Sequence, residues 1–575
     1  MILGLNVSLA EKHQIGEYVG MLFSLPFILF SMHGGFLADR FSKRTITVAV
    51  KFFEIAIMTF VCTGLACQKR QVLLAGVFFM GIHSAIFGPS KYGLLPELLP
   101  EKKLSWGNGI LEFGTFTAII LGGGVASFLP GFFGARQIWS GVILIVLAFI
   151  GLGTSLTITP VPPADPARKL GDDLLGQMVK QFSSVFKDRI LSLAFLGNTY
   201  FNFLGALLLL NLFFYGAYVL HAGDTQIGLL SAALALGIGA GSVVAGYASG
   251  GKIEYGLVPL GAFGLSIFSA LLAVPNWSLY TVLTWLVLLG FAGGFFIVPV
   301  SAILQHQPEP SKKGEVLAAA NWLSFVGIFL ASGAYYLLAD TLNFSPPAIF
   351  LIGGVATFIG AIIVLILSPY SLTRAILWII THTIYRVRVE GLENLPRRGG
   401  ALLISNHVSF VDWLFLMAAA DRPVRFLMGR EYYDKPWIKP LASAAQVIPI
   451  PPEIRPREVI QALRECGTGI KNGDVVCIFA EGALTRTGQL QIFHRGFEHM
   501  MKGATANLPA GMPVPVIVPA ALIGVWGSIF SFFGGKFLWK KPPQFPRVVT
   551  VYFGKPMPPT ATPDEVHAAV EDLMK

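Results

Sequence analysis

The sequence predicts a chain of two parts: a bundle of membrane-spanning α-helices over the first two-thirds and an α/β domain over the last third. Of the 575 residues, 54% are hydrophobic and only 13% are charged, whereas soluble domains carry about 25% charged residues. Up to residue 368 the chain contains eleven apolar runs long enough to cross a membrane, because a span needs about 20 apolar residues. After residue 370, short β-rich runs alternate with helix-length segments.

The predicted spans form a group of five and a group of six, which a polar connection over residues 160–189 separates. Two similar helical bundles joined by a central loop are a recurring plan of membrane transporters. We predict the spans at residues 18–38, 45–66, 71–90, 108–130, 137–159, 190–218, 225–249, 256–275, 278–300, 315–338 and 346–368.

Lysine and arginine are concentrated in alternate loops, and this asymmetry predicts the orientation, because cytoplasmic loops carry the excess of basic residues. One set of loops contains fourteen: Arg40, Lys43, Arg44, Lys91, Lys102, Lys103, Arg168, Lys169, Lys180, Lys187, Arg189, Lys252, Lys312 and Lys313. The other set contains four: Lys12, Lys69, Arg70 and Arg136. The segment after the last span is therefore predicted to be cytoplasmic. With eleven spans the beginning of the chain then lies outside, so we expect a missing first helix, with "MILGLNVSL" as its tail.

A polar motif lies between the first two predicted spans. It contains one glycine, one acid and three basic residues: Gly35, Asp39, Arg40, Lys43 and Arg44. The glycine allows close approach of two helices, the aspartate can accept helix-end amides or bind a cation, and the basic residues anchor the loop inside. The motif resembles the G-x-x-x-D-R-x-x-[KR]-R signature of the major facilitator superfamily. Residues 246–252 of the second half keep the glycine spacing without the Asp-Arg pair, as a decayed internal repeat would.

Polar side chains inside the spans are candidates for a transport path, because a charge in a membrane helix is costly and is retained mainly for function. The four that we rank first are Glu54, Glu112, Asn198 and Asn202. Lys51 lies one helical turn before Glu54 and can pair with it. The alternative for each candidate is a polar contact that joins two helices. The four cysteines form no C-x-x-C pair, so we predict neither a disulfide framework nor a metal site.

Residues 369–383 are apolar with a few polar breaks and are too short to cross a membrane, so we predict an amphipathic helix at the membrane surface. The runs "YRVRVEGL", "ALLIS", "VVCIFA", "VPVIVPAAL" and "VVTVYFG" follow. Such runs, separated by helix-length segments, predict a mostly parallel, buried sheet with helices on its faces. The predicted domains are a transmembrane domain over residues 1–368, a linker helix over 369–383 and an α/β domain over 384–575.

A histidine and an aspartate follow the predicted strand "ALLIS" in the stretch "SNHVSFVDW". Five positions along one helix would turn the side chains of His407 and Asp412 about 140° apart. They meet if His407 lies in the turn that leaves the strand and Asp412 on the first turn of the next helix. A histidine held by a carboxylate is the arrangement of a general base, since the acid fixes the tautomer and stabilises the imidazolium. The alternative is a helix N-terminus with a histidine nearby.

Three further motifs lie at or just after predicted strands: "GRE" at residues 429–431, "FAEG" at 479–482 and "VP" at 518–519. With the His-Asp pair they resemble, in order, the four blocks of the PlsC-like glycerolipid acyltransferases, over roughly residues 380–570. The third block of that family usually reads F-P-E-G-T-R, whereas here Ala480 replaces the proline and the arginine is delayed to Arg486. This spacing looks more like the 2-acylglycerophosphoethanolamine acyltransferases than like the lysophosphatidate acyltransferases.

The resemblance implies a role for each of these residues. His407 would take the proton from the free glycerol hydroxyl of a lysolipid, and Asp412 would orient His407. Arg430 and Arg486 would hold the lipid phosphate, because guanidinium pairs well with phosphate. The remaining implied residues shape the acceptor pocket or an apolar acyl channel: Glu481, Gly482 and Pro519.

The two parts together resemble bacterial fusions of an LplT-like lysophospholipid transporter with an acyltransferase. The resemblance implies lysophospholipid uptake or flipping across the inner membrane, followed by re-acylation, with 2-acylglycerophosphoethanolamine as the expected acceptor. It implies no tightly bound cofactor and an acyl-carrier-protein or coenzyme A thioester as donor. In relatives of this plan an acyl-carrier-protein ligase domain follows the acyltransferase, whereas this sequence ends at Lys575, so we expect either a separate acyl-carrier-protein synthetase as a partner or a chain that is cut short.

Two other interpretations remain open. In one, the enzyme is a 1-acylglycerol-3-phosphate acyltransferase and the helical bundle is only an anchor. In the other, the bundle transports a different amphipathic cargo. A nucleic-acid partner is excluded, because the basic residues lie in short loops and not on one face of a soluble domain.

Overall fold

A computed structural model describes residues 9–134, 136–167, 182, 183, 185–250, 253–309, 312–367, 369–396, 399–420, 422–436, 438–451, 456–506, 508, 512–535 and 546–575. Three predicted features lie wholly or partly outside these ranges. They are the proposed helix tail at the start of the chain, half of the central loop over residues 160–189, and Gly251 and Lys252 of the decayed repeat.

The chain divides into two compact units, Met1–Val364 and Leu365–Lys575. The described part of the helical bundle contains α1 (Leu9–Arg40), α2 (Lys43–Ala66), α3 (Arg70–Leu98), α4 (Leu104–Phe133), α5 (Ile138–Leu156), α6 (Arg189–Phe214), α7 (Asp224–Ala248), α8 (Leu257–Leu272), α9 (Leu279–His306), α10 (Lys313–Tyr336) and α11 (Pro346–Leu367). A short 3-10 turn, Glu101–Lys103, precedes α4. The helices α6 and α10 continue into single π turns, Tyr215–Val219 and Leu337–Thr341.

These helices cover all eleven predicted spans. Among the described residues, nine helices are long and apolar enough to cross a membrane. The other two are α4, not all of whose side chains are described, and α8, which has 16 residues. At 1.5 Å per residue α8 is about 24 Å long, shorter than the roughly 30 Å hydrocarbon core of a bilayer. The prediction of a multi-pass helical bundle is confirmed.

Glycines allow close helix packing between α7 and α9. A Cβ added at Gly237 would lie 2.2 Å from the carbonyl oxygen of Val287, and one added at Gly290 would lie 2.2 Å from that of Leu234. Neither distance is possible for a larger residue unless the backbones move apart. Small residues at four-residue spacing are the usual means by which membrane helices pack closely.

The second unit is an α/β domain. It contains α12 (Pro369–Thr383), β1 (Tyr385–Glu390), β2 (Ala401–Ser405), α13 (Asp412–Ala419), β3 (Val424–Gly429), α14 (Arg430–Tyr433), α15 (Lys439–Ala444), β4 (Ile448–Ile450), α16 (Pro456–Lys471), β5 (Val475–Ile478), α17 (Gly496–Thr505), β6 (Val516–Ile523), β7 (Arg547–Phe553) and α18 (Pro563–Met574). The strands form one sheet in the order β1-β7-β6-β2-β5-β3-β4. Among the paired strands that the structure describes, only β6 and β7 are antiparallel to each other, which confirms the prediction of a mostly parallel sheet.

Each face of the sheet carries its own apolar core. On one face Leu403 and Val518 pack with α12 and α13. On the other face Leu402 and Ile517 pack with α16, α17 and α18. Alternate residues of a strand point to opposite faces, so β2 and β6 are apolar at almost every position because both of their faces are buried.

The linker helix α12 packs one side against the α/β domain. Arg374 is fully buried there, and its Nη1 donates to the carbonyl oxygens of Met417 at 2.7 Å and Ala420 at 2.8 Å. These are orphan carbonyls at the end of α13, where a cation is favourable. Leu377 is also buried, while Ile379 is 43% exposed. The amphipathic pattern of residues 369–383 therefore includes a face that belongs to the core of the second unit.

Candidate active site and transport path

Four loops meet at one edge of the sheet, where the carboxyl ends of β2, β3, β5 and β6 lie. In α/β sheets this edge is where binding sites form. Several contacts join the loops. The backbone N–H of His407 after β2 donates to Glu481 after β5 at 2.7 Å, Ser409 forms a β-bridge with Ser531 after β6, and the Phe410 ring lies 6.3 Å from that of Tyr432 after β3. Side chains that are far apart in the sequence are thus brought to one place.

His407 and Asp412 meet at this edge. His407 lies in the turn after β2, and Asp412 is the first residue of α13, with 2.9 Å between His407 Nδ1 and Asp412 Oδ2. A carboxylate oxygen only accepts, so Nδ1 carries the proton and Nε2 retains its lone pair. The imidazole is 22% exposed, whereas the carboxylate is fully buried. This arrangement is suited to proton abstraction at Nε2.

The carboxylate of Asp412 is held by several donors besides the imidazole. Its Oδ2 accepts the N–H groups of Val408 at 2.6 Å and Ser409 at 2.8 Å. Its Oδ1 accepts the Ser409 hydroxyl at 2.6 Å. A buried charge is tolerated when it is fully hydrogen-bonded, and the start of a helix also favours an anion. Asp412 is therefore fixed in position as a charged acceptor for His407.

Glu481 braces the backbone of the histidine. Its Oε1 accepts the N–H of His407 at 2.7 Å, and its Oε2 accepts the N–H of Gln491 at 3.0 Å. The side chain is 4% exposed, and burial raises the pKa of the Glu481 carboxyl above its ordinary value, although both N–H donors oppose this. The family resemblance implied a pocket-shaping role, whereas the observed contacts are those of a support beneath His407.

Two further side chains hold the same turn. The Phe479 ring stacks on the imidazole of His407, with 4.0 Å between centroids and 10° between planes. The side chain of Asn406 pairs with the backbone of Leu522 on β6, accepting its N–H at 2.7 Å and donating to its carbonyl at 3.1 Å. Sequence analysis assigned neither role. An amide directly after the buried strand "ALLIS" was the available signal for Asn406, since a buried polar group must find partners.

The two predicted phosphate-binding arginines lie at this edge beside a row of aromatic rings. Arg430 is 58% exposed and begins α14, next to Tyr432. The Arg486 guanidinium lies 5.7 Å from the centroid of the Phe532 ring. Phe410 stands between the two, 6.3 Å from Tyr432 and 5.9 Å from Phe532. Phe410 belongs to the turn between His407 and Asp412, so the aromatic row begins at that turn.

Gly482 and Pro519 have different placements. Gly482 adopts φ +72°, and a Cβ there would lie 3.1 Å from His494 Cδ2, so this position beside Glu481 favours glycine. Pro519 is inside β6, opposite Ile404, and a Cβ on Gly554 would lie 2.8 Å from its ring. Among the described contacts, none links Pro519 to the group around His407.

In the first unit, the polar motif joins α1 to α10. Asp39 is fully buried, and its carboxylate accepts the N–H groups of Gly314 at 2.9 Å and Glu315 at 3.2 Å at the start of α10. Of the two possibilities for Asp39, helix-end amides or a cation, the structure shows the amides. A Cβ on Gly35 would lie 2.5 Å from that of Ala318, so the glycine permits this close contact.

The basic residues of the motif have partners within the first half of the bundle. The ammonium of Lys43 is fully buried and pairs with Glu97 near the end of α3. Arg44 Nη2 donates to the carbonyl oxygen of Leu156 at 3.0 Å. The Arg40 guanidinium lies 5.7 Å from the ring centroid of Phe36. The motif therefore connects α1 and α2 to α3, α5 and, through Asp39, α10.

The sequence matches a known family over this region. Residues 2–332 match the family described as the Major Facilitator Superfamily, with an overlapping match over residues 211–418. The chain belongs to the Major Facilitator Superfamily. Residues 386–522 match the family described as Acyltransferase, so the chain joins a major facilitator transporter to a PlsC-like acyltransferase domain.

Relatives of the transporter domain come from bacteria. The lysophospholipid transporter LplT of Klebsiella pneumoniae is 29% identical over 346 residues, which cover 57% of this chain and 81% of the relative. The LplT of Photorhabdus laumondii is 25% identical over 327 residues, 55% and 78% of the two chains. Among solved structures, the human organic anion transporter TETRAN has a TM-score of 0.52 at 18% identity, covering 60% of this chain and 83% of that chain. This likeness supports the fold.

Two transport-path candidates of the major facilitator domain lie in a polar group on α2, α3 and α4. Lys51 Nζ lies 2.6 Å from Glu54 Oε2, and His83 Nε2 lies 3.4 Å from the same oxygen. Glu112 is 6% exposed and accepts the Tyr92 hydroxyl at 3.1 Å. Charged side chains within membrane-spanning helices are typical of a substrate or ion pathway.

The other two candidates join α6 to α10. Asn198 Nδ2 donates to Ser324 Oγ at 2.8 Å, and Asn202 Nδ2 approaches the same oxygen at 3.3 Å. These contacts fit the alternative interpretation, a polar link between helices. Sequence analysis missed a similar link, a reciprocal amide pair in which Asn108 on α4 and Gln305 on α9 each donate to the other at 2.8 Å. Asparagine and glutamine residues occur singly within the apolar runs, and the sequence does not indicate which of their side chains are in contact.

Proposed function

We propose that this protein moves a lysophospholipid from the outer to the inner leaflet of the bacterial inner membrane and re-acylates it in the cytoplasm. Three observations support the proposal: the similarity of the helical domain to proteins named lysophospholipid transporters, the acyltransferase match and the pairing of His407 with Asp412. The pairing is the main support for the proposed acyl transfer, because it supplies a general base at the edge of the sheet where the carboxyl ends of the strands lie.

The proposed reaction begins when Nε2 of His407 removes the proton from the free glycerol hydroxyl of the lysolipid. The hydroxyl oxygen attacks the thioester carbonyl of the acyl donor, so that a C–O bond forms and the C–S bond breaks. The departing thiolate takes the proton from Nε2. Asp412 keeps Nδ1 protonated and stabilises the transient imidazolium, while Glu481 and Phe479 hold the backbone and the ring of His407.

The phosphate of the acceptor is proposed to bind Arg430 and Arg486. Both are exposed at the same edge, Arg430 as the first residue of α14 and Arg486 after β5, beside the aromatic row of Tyr432, Phe410 and Phe532. Guanidinium groups bind phosphate oxygens in pairs. We propose 2-acylglycerophosphoethanolamine as the acceptor and an acyl-carrier-protein or coenzyme A thioester as the donor, with a separate synthetase that loads the carrier.

The headgroup is proposed to pass the polar group around Glu54 and Glu112. A phosphoethanolamine headgroup has one anionic phosphate and one ammonium, and this group of side chains contains both signs of charge. Lys51 pairs with Glu54, and Lys91 Nζ donates to Thr115 Oγ1 at 2.8 Å, one turn from Glu112. Such pairs can exchange a protein partner for a headgroup without leaving a buried charge unpaired.

The test uses the full chain in proteoliposomes, with labelled lysophosphatidylethanolamine in the leaflet opposite to the enzyme and acyl donor on the enzyme's side. We expect labelled diacyl product from the wild type and from His499→Ala, an exposed histidine on α17, and none from His407→Ala. Inward movement of label should be equal in all three. Acylation by His407→Ala contradicts the base assignment, and label that never enters contradicts transport.

The same proteoliposomes separate the proposal from its alternatives. The anchor interpretation predicts that lysolipid is acylated only when it is supplied in the leaflet on the enzyme's side. A lysophosphatidate acyltransferase would show a higher kcat/KM for lysophosphatidate than for the ethanolamine lysolipid. Supplying the acyl-carrier-protein thioester and the coenzyme A thioester in turn identifies the donor.

A further inference from the structure

A row of aromatic side chains borders the entrance to the acyltransferase site, and we call it the aromatic rim: Phe410, Tyr432, Phe532 and Phe533. Phe410 connects Tyr432 and Phe532, at centroid distances of 6.3 and 5.9 Å. Phe533 packs edge-on against Trp526 at 6.0 Å. The rim therefore extends across the loops that follow β2, β3 and β6.

The rim presents its aromatic surface to the outside of the domain. Tyr432 is 40% exposed and Phe533 is 50% exposed. Within the described residues of Leu365–Lys575, these are the two aromatic side chains among the exposed large hydrophobic residues, and both lie at the edge that carries His407. Exposed aromatic side chains gathered at one functional edge indicate a contact surface.

Cations accompany the rings. Lys435 Nζ lies 5.1 Å from the Tyr432 ring centroid, and the Arg486 guanidinium lies 5.7 Å from that of Phe532. With Arg430, three exposed cations accompany the rings, against two exposed acids, Glu431 and Asp434. Aromatic rings at headgroup depth, next to lysine and arginine, are the usual composition of a protein surface at the membrane–water interface.

The proposed acceptor also favours a bilayer at this edge. A lysolipid has one long acyl chain, and each methylene taken out of the bilayer costs free energy. Its glycerol hydroxyl can reach His407 without extraction of the chain only if the border of the site touches the headgroup layer. Phe410 belongs to the turn between His407 and Asp412, and we therefore take the rim as that border.

We propose that the aromatic rim contacts an anionic phospholipid bilayer, with Phe533 inserted at the level of the headgroups, so that the acyltransferase site opens toward the membrane. This inference rests on the proposed lipid substrate. The buried face of α12 gives the domain an internal support, whereas the rim gives it a membrane contact next to the chemistry.

Spin-label accessibility in the full chain tests the contact. Cys62 and Cys67 are replaced by serine, whereas Cys466 and Cys477 are buried; burial raises the pKa of the Cys466 thiol to about 12 and raises that of Cys477 further above its usual range. A nitroxide is attached at Phe533→Cys or, as the control, at Glu571→Cys, an exposed residue on α18. The chain is reconstituted in vesicles of phosphatidylethanolamine and phosphatidylglycerol.

At position 533 we expect collisions with lipid-soluble oxygen to exceed those with a water-soluble nickel complex, and we expect the reverse at position 571. Equal access of the nickel complex to both labels would overturn the proposal. Shielding of position 533 that requires acyl carrier protein and is independent of lipid would also overturn it, because the surface would then be a docking site for the carrier.

Kinetics provide a second measurement. Phe533→Ser should lower kcat/KM for bilayer-borne lysolipid on the order of tenfold, the effect of losing one buried phenyl group, and leave the value for a monomeric short-chain lysolipid unchanged. Phe533→Trp should retain both activities. An equal loss for both substrates would contradict the proposal. A wild type that acylates nothing would contradict the proposed function, whereas the spin-label result would still decide the membrane contact.

Discussion

The two units use buried polar side chains in different ways. In the transporter domain they join helices that are distant in the sequence, as Asp39 does with the start of α10 and Asn108 with Gln305. In the acyltransferase domain they converge on one side chain, because Asp412 and Glu481 both hold His407. The first pattern consists of separate links that can break one at a time as helices move. The second is a connected network that fixes a single geometry.

The largest effect should follow a change within the network. Asp412→Asn should lower kcat of acylation by roughly a hundredfold to ten-thousandfold, because the amide no longer selects the Nδ1–H tautomer or stabilises the imidazolium. Steady-state rates at saturating lysolipid measure this, with Asp572→Asn, an exposed acid on α18, as the matched control. A rate within threefold of the wild type would show that the pair does not act as a unit.

The next effect should separate the two domains. Asp39→Asn removes a charge that accepts two helix-end N–H groups, and bonds to charged groups contribute about 1.5–3 kcal/mol. We expect transport to slow on the order of tenfold, while acylation of lysolipid supplied directly to the enzyme stays normal. Asp340→Asn, in the π turn after α10, is the control. Loss of both activities would indicate that Asp39 is needed for folding.

Glu481→Gln should lower acylation by about tenfold, because an amide offers one acceptor where two N–H groups require two. Glu571→Gln, on the surface of α18, should have no effect.

The same substitution carries a pH signature. Burial raises the folded-state pKa of Glu481 above 4.5, so the folded chain binds this proton more tightly than the unfolded chain. The stabilisation that results is fully present below about pH 4.5 and is lost as the pH rises through the raised pKa. As the pH rises through this window, thermal unfolding should show the Tm of the wild type falling relative to that of Glu481→Gln. A constant difference would mean that Glu481 does not titrate there.

The smallest effect is expected for Asn198→Ala. A polar link between membrane helices contributes about 0.6 kcal/mol on average, so the variant should lose a little thermal stability and keep its transport rate within about threefold. A double-mutant cycle with Ser324→Ala measures the link directly. Strongly reduced transport with unchanged stability would instead assign Asn198 to the substrate path.

The strand "ALLIS" and the helical spans illustrate what local sequence predicts well. Each span is a long apolar run, and hydrophobicity over about 20 residues is enough to predict a membrane helix. The bounds of α12, Pro369–Thr383, coincide with the predicted linker helix. Yet its buried face was not predicted, since the same amphipathic pattern serves for packing on a sheet or on a membrane.

The acyltransferase site was predicted in part. His407 and Asp412 are five residues apart, so a turn and a helix start are enough to bring them together. Glu481 and Pro519 depend on strand order and on the direction of each side chain, which their motifs do not contain. In the structure, Pro519 lies inside β6 without a described contact to the site, whereas Glu481 lies beneath His407.

The sequence by itself determined the two-part architecture, the spans and the motifs, because periodicity, composition and short spacings are local properties of a chain. Only the tertiary structure decided that Asp39 meets a helix start 275 residues away, that Arg374 supports α13, and that aromatic rings from three loops form one rim. Those contacts result from how helices and strands pack, and packing depends on the whole set of surfaces that must be buried together.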